Sequence, residues 1–177
     1  MRDILKLTLE LALISAISAG LLAFVSSRTQ TARERAAEAK RLDAARKVLH
    51  LEADETFRFD ETGGVFFAEK DGHATKFAVE SLSEHGYGGP IRVIVAADAA
   101  GRVIDFAVIQ SSETPGLGSK IAGEKFASGL RGKPLDADWR VRQDGGDIDA
   151  VTSATISSRA ACEAIAKAAA ILKSRSQ

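Results

Sequence analysis

Between residues 91 and 109 the chain reads IRVIVAADAAGRVIDFAVI. Ile91, Val93 and Val95 recur at every second position, which is the period of a β-strand with one buried face. Residues 98–101, Asp-Ala-Ala-Gly, have the composition of a turn, and residues 103–109 return as a second apolar run. This stretch therefore predicts an antiparallel β-hairpin.

A second hairpin is predicted upstream of the first. Gly63-Gly64 precedes residues 65–70, Val-Phe-Phe-Ala-Glu-Lys, Asp71-Gly72 is a tight-turn pair, and residues 74–79 form the returning run. Downstream, residues 118–130 have a helical pattern, and residues 139–143 alternate like another strand. The last predicted element is a helix over Thr155–Lys173, and four residues are expected on its buried face: Ala161, Ile165, Ala168 and Leu172.

Strands in hairpins with helices between and after them indicate an α+β domain with a mostly antiparallel sheet, assigned to residues 53–177. Residues 29–52 are interpreted as a helical stalk in front of this domain. Small and apolar residues recur along the stalk at three- and four-residue steps, at Ala32, Ala36, Ala39, Leu42, Ala45 and Leu49. We expect the stalk to pack one narrow face onto the domain.

Residues 1–28 are predicted to be a transmembrane anchor. Residues 11–27 carry no charge, and with the leucines before them they are about long enough to cross the hydrocarbon core. A cleavable secretory signal is the alternative, but no clear small-residue cleavage site follows the apolar run. The flanking charges are Arg2 and Lys6 before the span against Arg28, Arg33 and Arg35 after it. By the positive-inside rule, these charges would place the C-terminal domain in the cytoplasm.

Composition excludes several classes of function. Lys plus Arg equals Asp plus Glu, at 24 each, and no basic cluster is present, so the sequence predicts no nucleic-acid binding. Cys162 is the only cysteine, which excludes an internal disulfide and a thiolate metal cage. We expect Cys162 to be a small core residue. The histidines lack metal-ligand spacing, so no metal site is predicted.

The segment at residues 147–158, DIDAVTSATISS, concentrates hydroxyl groups where the last helix begins. Two interpretations are open from composition alone. Ser and Thr at such a position can cap free backbone N–H groups. A helix N-terminus is also an anion site, so the segment could instead hold a phosphate as a ligand or as a covalent ester.

The order Asp149-x-x-Thr152-Ser153-Ala154-Thr155 resembles the flavinylation motif that extracytoplasmic flavin transferases read. The resemblance implies that Thr155 carries FMN as a phosphoester, donated from FAD. It also implies that Asp149, Thr152, Ser153 and Ala154 shape the segment and hold the phosphate. Ser153 departs from the motif, which usually has glycine there. If that position requires a positive φ, serine would cost about 1 kcal/mol or more.

Two further segments resemble the same FMN-binding domain, namely residues 113–118, ETPGLG, and residues 86–91, GYGGPI. Together with the anchor and the stalk, the motifs resemble G subunits of the Rnf complex, a membrane oxidoreductase that moves electrons between ferredoxin and NAD while translocating ions. By analogy with the family, Glu113, Thr114 and Leu117 are candidate contacts to the FMN ring. The implied partners are the other membrane and peripheral subunits and, during maturation, the flavin transferase.

The resemblance implies an inner-membrane protein whose FMN domain faces the periplasm or the cell exterior, against the arginine count. We give the resemblance more weight because neighbouring subunits can set an anchor's topology and the charge difference is small. Two alternatives are a C subunit of the sodium-pumping NADH:quinone reductase, which is typically longer, and another flavin-tethering membrane protein. A third is a membrane-anchored scaffold or binding module without flavin, in which the hydroxyl-rich segment is only a helix cap.

Overall fold

The computed structural model describes residues 2–175. The elements in chain order are α1 (Arg2–Val48), β1 (Thr56–Asp60), β2 (Val65–Lys70), β3 (His73–Ser83), β4 (Ile91–Asp98), β5 (Val103–Ser111), α2 (Glu124–Ser128) and α3 (Thr155–Lys173), with 3-10 helices at Gly118–Ala122 and Arg142–Asp144. The chain divides into two compact units, one ending at Lys40 and the other beginning at Arg41.

Helix α1 is 47 residues long and includes an apolar stretch that could cross a membrane by length and composition. Its sequence has no proline and only Gly20 to weaken it, so nothing local interrupts the helix. The helix ends where His50 adopts a left-handed conformation, with φ 45°. Ala45 and Val48 are its buried residues. Helix is thus confirmed in the predicted stalk as far as Val48, but the stripe expected to pack is buried only in the last turns.

The sheet has five strands in the order β1-β2-β3-β4-β5, and every neighbouring pair is antiparallel. Both predicted hairpins are confirmed. In the downstream hairpin, between β4 and β5, Val93 pairs with Val108 and Val95 pairs with Phe106. Strand β1 was not predicted from the sequence, because its five residues give too short a pattern to distinguish from a loop.

Both faces of the sheet are covered within the second unit. Val93 and Val95 of β4 belong to the core beneath α3, and all four residues predicted for the buried face of α3 lie in it. Ile94 and Ala96, one residue out of phase, belong to a second core with Val48 at the end of α1. Because successive side chains of a strand point to opposite faces, burial on both faces accounts for the continuous apolar run of β4.

Two sequence predictions were wrong in detail. Residues 118–130 are not one helix, because Gly123 is extended, with φ −84° and ψ 156°, and separates the 3-10 helix from α2. Residues 139–143 are not a strand, since only one isolated bridge forms there, between Val141 and Ile148. A turn through Gly145, with φ 84°, ends that pairing at once. Trp139 and Val141 are nevertheless buried, so the alternation reflects an extended loop lying on the core.

Candidate functional site

Thr155 is the first residue of α3, and the helix N-terminus that it opens is not capped. The N-cap residue is Ala154, which makes no side-chain hydrogen bond. Among the described residues, no acceptor is found for the backbone N–H groups of Thr155, Ile156 and Ser157. The interpretation in which a Ser or Thr hydroxyl caps these N–H groups is therefore wrong. Three unpaired donors at the positive end of a helix are suited to bind an anion.

Ser158, in the first turn of α3, contacts the turn that precedes the helix. The Val151 N–H donates to Oγ of Ser158 at 3.0 Å, and that hydroxyl donates to the Ala154 carbonyl oxygen at 2.9 Å. Ser158 is fully buried. Between these anchors Ser153 has φ 64°, the left-handed conformation that glycine adopts without strain. The glycine usual in the motif is thus explained by the backbone, and Ser153 occupies the same conformation at a cost of about 1 kcal/mol.

A cleft of about 500 Å³ lies beside Thr155. It brings together the three segments singled out in the sequence, because its walls come from the loop at Tyr87, from the loop at residues 113–118 and from the start of α3. The predicted site residues that line it are Glu113, Thr114, Leu117, Ser153, Ala154 and Thr155. The volume is within the range of small-molecule and cofactor sites.

Exposed apolar side chains surround this cleft. Tyr87 is 71% exposed, Ile156 48% and Leu117 47%. Apart from Ile171, they are the exposed large apolar side chains in the described part of the second unit. Clustered exposed apolar surface is typical of ligand and interaction sites. Sequence reasoning had not selected Ile156 or Ser157, although both adjoin the motif, and it had noted Tyr87 only as part of a glycine-rich turn.

Asp149 and Thr152 do not line this cleft. They border a neighbouring one of about 540 Å³, together with Phe126 and Ile148. Asp149 is ion-paired at 2.7 Å with Nε of Arg142, and its side chain is 81% exposed. Its predicted role in holding the phosphate stays a prediction.

Glu113 is buried, and both carboxylate oxygens have partners within the protein. Oε1 accepts from the Gly88 N–H at 3.3 Å, and Oε2 accepts from the Ser157 hydroxyl at 2.8 Å. The side chain therefore reaches from its own loop to the other two segments of the site.

Comparison with known proteins identifies the same region. Residues 86–170 match the FMN-binding domain family. The chain is 41% identical over 106 residues to the G subunit of the ion-translocating oxidoreductase complex of Vibrio parahaemolyticus, a match that covers 56% of this chain and 50% of that protein. It is 31% identical over 190 residues to the protein of the same name from Pseudomonas aeruginosa, covering 94% of this chain and 87% of that protein.

Among solved structures, the C subunit of the Na(+)-translocating NADH-quinone reductase of Parabacteroides distasonis is similar, with a TM-score of 0.53 and 23% identity over 64% of this chain and 62% of that one. This likeness shows the fold alone. The match to the Vibrio protein spans about half of that relative's length, whereas the match to the Pseudomonas protein is nearly end to end. The chain belongs to the family of G subunits of ion-translocating oxidoreductase complexes.

Proposed function

We propose that this chain is an electron-relay subunit of a membrane ion-translocating ferredoxin:NAD oxidoreductase and carries FMN through a phosphoester to Thr155. The observation that carries the proposal is the uncapped N-terminus of α3, where a threonine is the first of three residues whose backbone N–H groups have no acceptor among the described residues. Membership of the G-subunit family and the match to FMN-binding domains support it.

The local chemistry suits a phosphoester. The Thr155 hydroxyl attacks the FMN phosphorus of FAD, the bond from that phosphorus to the bridging oxygen breaks, AMP leaves, and the hydroxyl proton passes to solvent. The flavin transferase catalyses this exchange. The backbone N–H groups of residues 155–157 would then hold the phosphate, and the helix dipole would stabilise its charge by about 0.3–1 kcal/mol.

The cleft supplies the remaining contacts. Tyr87, Leu117 and Ile156 offer apolar surface for a planar ring, next to a hydroxyl on Thr114. The isoalloxazine ring supplies the redox chemistry, whereas the protein supplies binding and orientation. A tether through the phosphate leaves the ring free of covalent bonds, so burial and hydrogen bonds in the cleft set its potential. The exposed rim is compatible with electron exchange with other subunits of the complex.

Helix α1 is the proposed single-pass anchor in the inner membrane, with the domain on the periplasmic or outer side, where the flavin transferase works. The partners are the other membrane and peripheral subunits of the complex. The names of the relatives support membership of such a complex.

Intact mass spectrometry tests the tether. The full chain is co-expressed with a flavin transferase, and wild type is compared with Thr155→Val. We expect wild type to gain one FMN less one water and Thr155→Val to gain nothing. Thr62→Val, the same change at an exposed threonine outside the three motifs, is the control and should be labelled. An unmodified wild type, under conditions that label a known flavoprotein, would support the scaffold alternative.

A further inference from the structure

We propose that Glu113 is a positioning residue, which acts through Ser157 to hold Thr155 in the orientation required for flavin attachment. This inference rests on the proposed function and adds a role for Glu113 and Ser157. Glu113 lies in the loop at residues 113–118, and Ser157 lies in the first turn of α3 two residues after Thr155.

The contact is buried and charge-assisted. Glu113 is 7% exposed and Ser157 is 2% exposed, with 2.8 Å between the Ser157 hydroxyl and Oε2 of Glu113. Hydrogen bonds to an ionised carboxylate are about twice as strong as those between neutral groups. Burial also makes the unpaired alternative unfavourable, because a carboxylate without partners there would lose its solvation. This contact therefore holds the first turn of α3 against the loop.

Glycines around Glu113 leave room for its carboxylate. A Cβ at Gly86 would lie 2.8 Å from Oε1 of Glu113, and a Cβ at Gly118 would lie 2.7 Å from Oγ of Ser157 and overlap Oε2 of Glu113. These separations are too short for any side chain at either position. Gly118 is thus needed for the Glu113 contact itself, whereas a Cβ at Gly86 would also overlap the Gly89 carbonyl oxygen of its own turn.

The geometry links the contact to Thr155. The Ser157 hydroxyl attaches the first turn of α3 to Glu113 of the loop. The Ser158 hydroxyl attaches the same turn to the Ala154 carbonyl and the Val151 N–H, in the segment before the helix. In the chain, Thr155 lies between Ala154, which Ser158 contacts, and Ser157, which contacts Glu113, and it lines the cleft. Loss of the contact between Ser157 and Glu113 would let the first turn of α3 and the Thr155 hydroxyl shift. Displacement of a reacting group by about 1 Å can reduce a rate by roughly a hundredfold.

Glu113 could instead contact the flavin directly through its charge, and the conservative variant separates the two roles. In Glu113→Gln the amide oxygen can accept from Gly88, and the amide nitrogen can donate to the Ser157 oxygen, so the geometry is kept while the charge is lost. Glu113→Ala loses both contacts, and Ser157→Ala loses only the contact to α3.

The experiment measures the initial rate of FMN incorporation into the purified full-length protein in detergent, with flavin transferase and excess FAD. Intact mass gives the labelled fraction over time, and peptide mapping confirms Thr155. The matched control is Ser83→Ala. Ser83 is also fully buried and also donates to a carboxylate at 2.8 Å, that of Glu163 on α3, but this contact lies farther along the helix.

We expect Ser157→Ala and Glu113→Ala to be labelled at least about tenfold more slowly than wild type. Glu113→Gln and Ser83→Ala should remain within about twofold of wild type, since the contacts at Thr155 are kept. Labelling of Ser157→Ala at the wild-type rate would overturn the proposal, and so would equal slowing by Ser83→Ala. Slowing of Glu113→Gln to the level of Glu113→Ala would assign the effect to charge and overturn the positioning role. In each of these cases a labelled wild type leaves the proposed function standing, whereas an unlabelled wild type contradicts that function itself.

Discussion

At residue scale, the left-handed backbone of Ser153 determines what the position tolerates. Ser153 has φ 64°, so glycine at this position would remove local strain in the folded state but would also give the unfolded chain more conformational freedom. Because these two effects oppose each other, Ser153→Gly should change the free energy of unfolding by less than about 1 kcal/mol. Ser153→Val should destabilise by about 1–2 kcal/mol, since a β-branched residue is strained there. The fluorescence of Trp139, the only tryptophan, can follow thermal unfolding of the domain.

Thr152→Val is the control for Ser153→Val, since it changes a neighbouring exposed residue to the same side chain without a positive φ. Equal destabilisation by the two variants would contradict a specific role for the backbone at Ser153. The Ser153→Gly variant also tests whether the departure from the motif slows flavin attachment.

Cys162 is expected to be chemically inert in the folded protein. Its side chain lies in the core beneath the sheet, and burial, followed by the nearby charge of Asp144, raises the pKa of its thiol to about 12. At pH 8 the thiolate is therefore scarce and inaccessible, so a maleimide should label the protein only after denaturation. Stoichiometric labelling of native protein within minutes would contradict this packing.

At the scale of elements, Glu55 ties the segment after α1 to β3. It accepts from Lys76 and Thr75, both at 2.7 Å, and from the backbone N–H of Glu52 at 2.9 Å. Burial raises the pKa of this carboxyl, but the Glu52 N–H, the Lys76 ammonium and the Thr75 hydroxyl together outweigh it and lower the pKa from 4.5 to about 2. The carboxylate therefore stabilises the fold while it is ionised.

The sign of the pH dependence follows from this lowered pKa. The contribution of Glu55 is present above about pH 4.5 and is lost as the pH falls towards 2. Glu55→Gln should destabilise the domain by about 1–3 kcal/mol at pH 7, and the gap to wild type should narrow in acid. Thermal unfolding of both proteins between pH 7 and pH 3 measures this difference in stability. Glu61→Gln, a control at an exposed position, should have the stability of wild type at every pH. A stability difference between wild type and Glu55→Gln that widened in acid would contradict the proposed contribution of Glu55.

At the scale of the whole molecule, the side of the membrane that carries the domain can be tested with introduced cysteines. Ala100 lies exposed in the turn between β4 and β5, and Asp3 lies exposed near the start of α1. We expect a membrane-impermeant maleimide to label Ala100→Cys in intact spheroplasts and Asp3→Cys only after permeabilisation. The opposite pattern would place the domain in the cytoplasm, as the flanking arginines alone suggest. Cys162 contributes little background because it is buried.

Several features of this protein could be predicted from the sequence because they depend on neighbouring residues. The downstream hairpin follows from a two-residue period ended by a turn, the upstream one follows from the Asp71-Gly72 turn pair, and α3 follows from a stripe of small and apolar residues. The resemblance to the flavinylation motif raised the question of a positive φ at Ser153, which the backbone answers, whereas Thr155 as the attachment residue stays a prediction. Strand β1 was not predicted, and the loop at Trp139 was wrongly predicted as a strand, since short alternating runs occur in strands and in extended loops alike.

The assembly of the site was decided only by the tertiary structure. Packing of α3 on the sheet brings Thr155 beside Leu117 and Tyr87, leaves Asp149 on a neighbouring cleft, and directs Glu113 towards Ser157. Local patterns carry no information about which distant segments meet. The physical reason is that such contacts arise from burying α3 against the sheet, and that burial sets the distance between residues far apart in the chain.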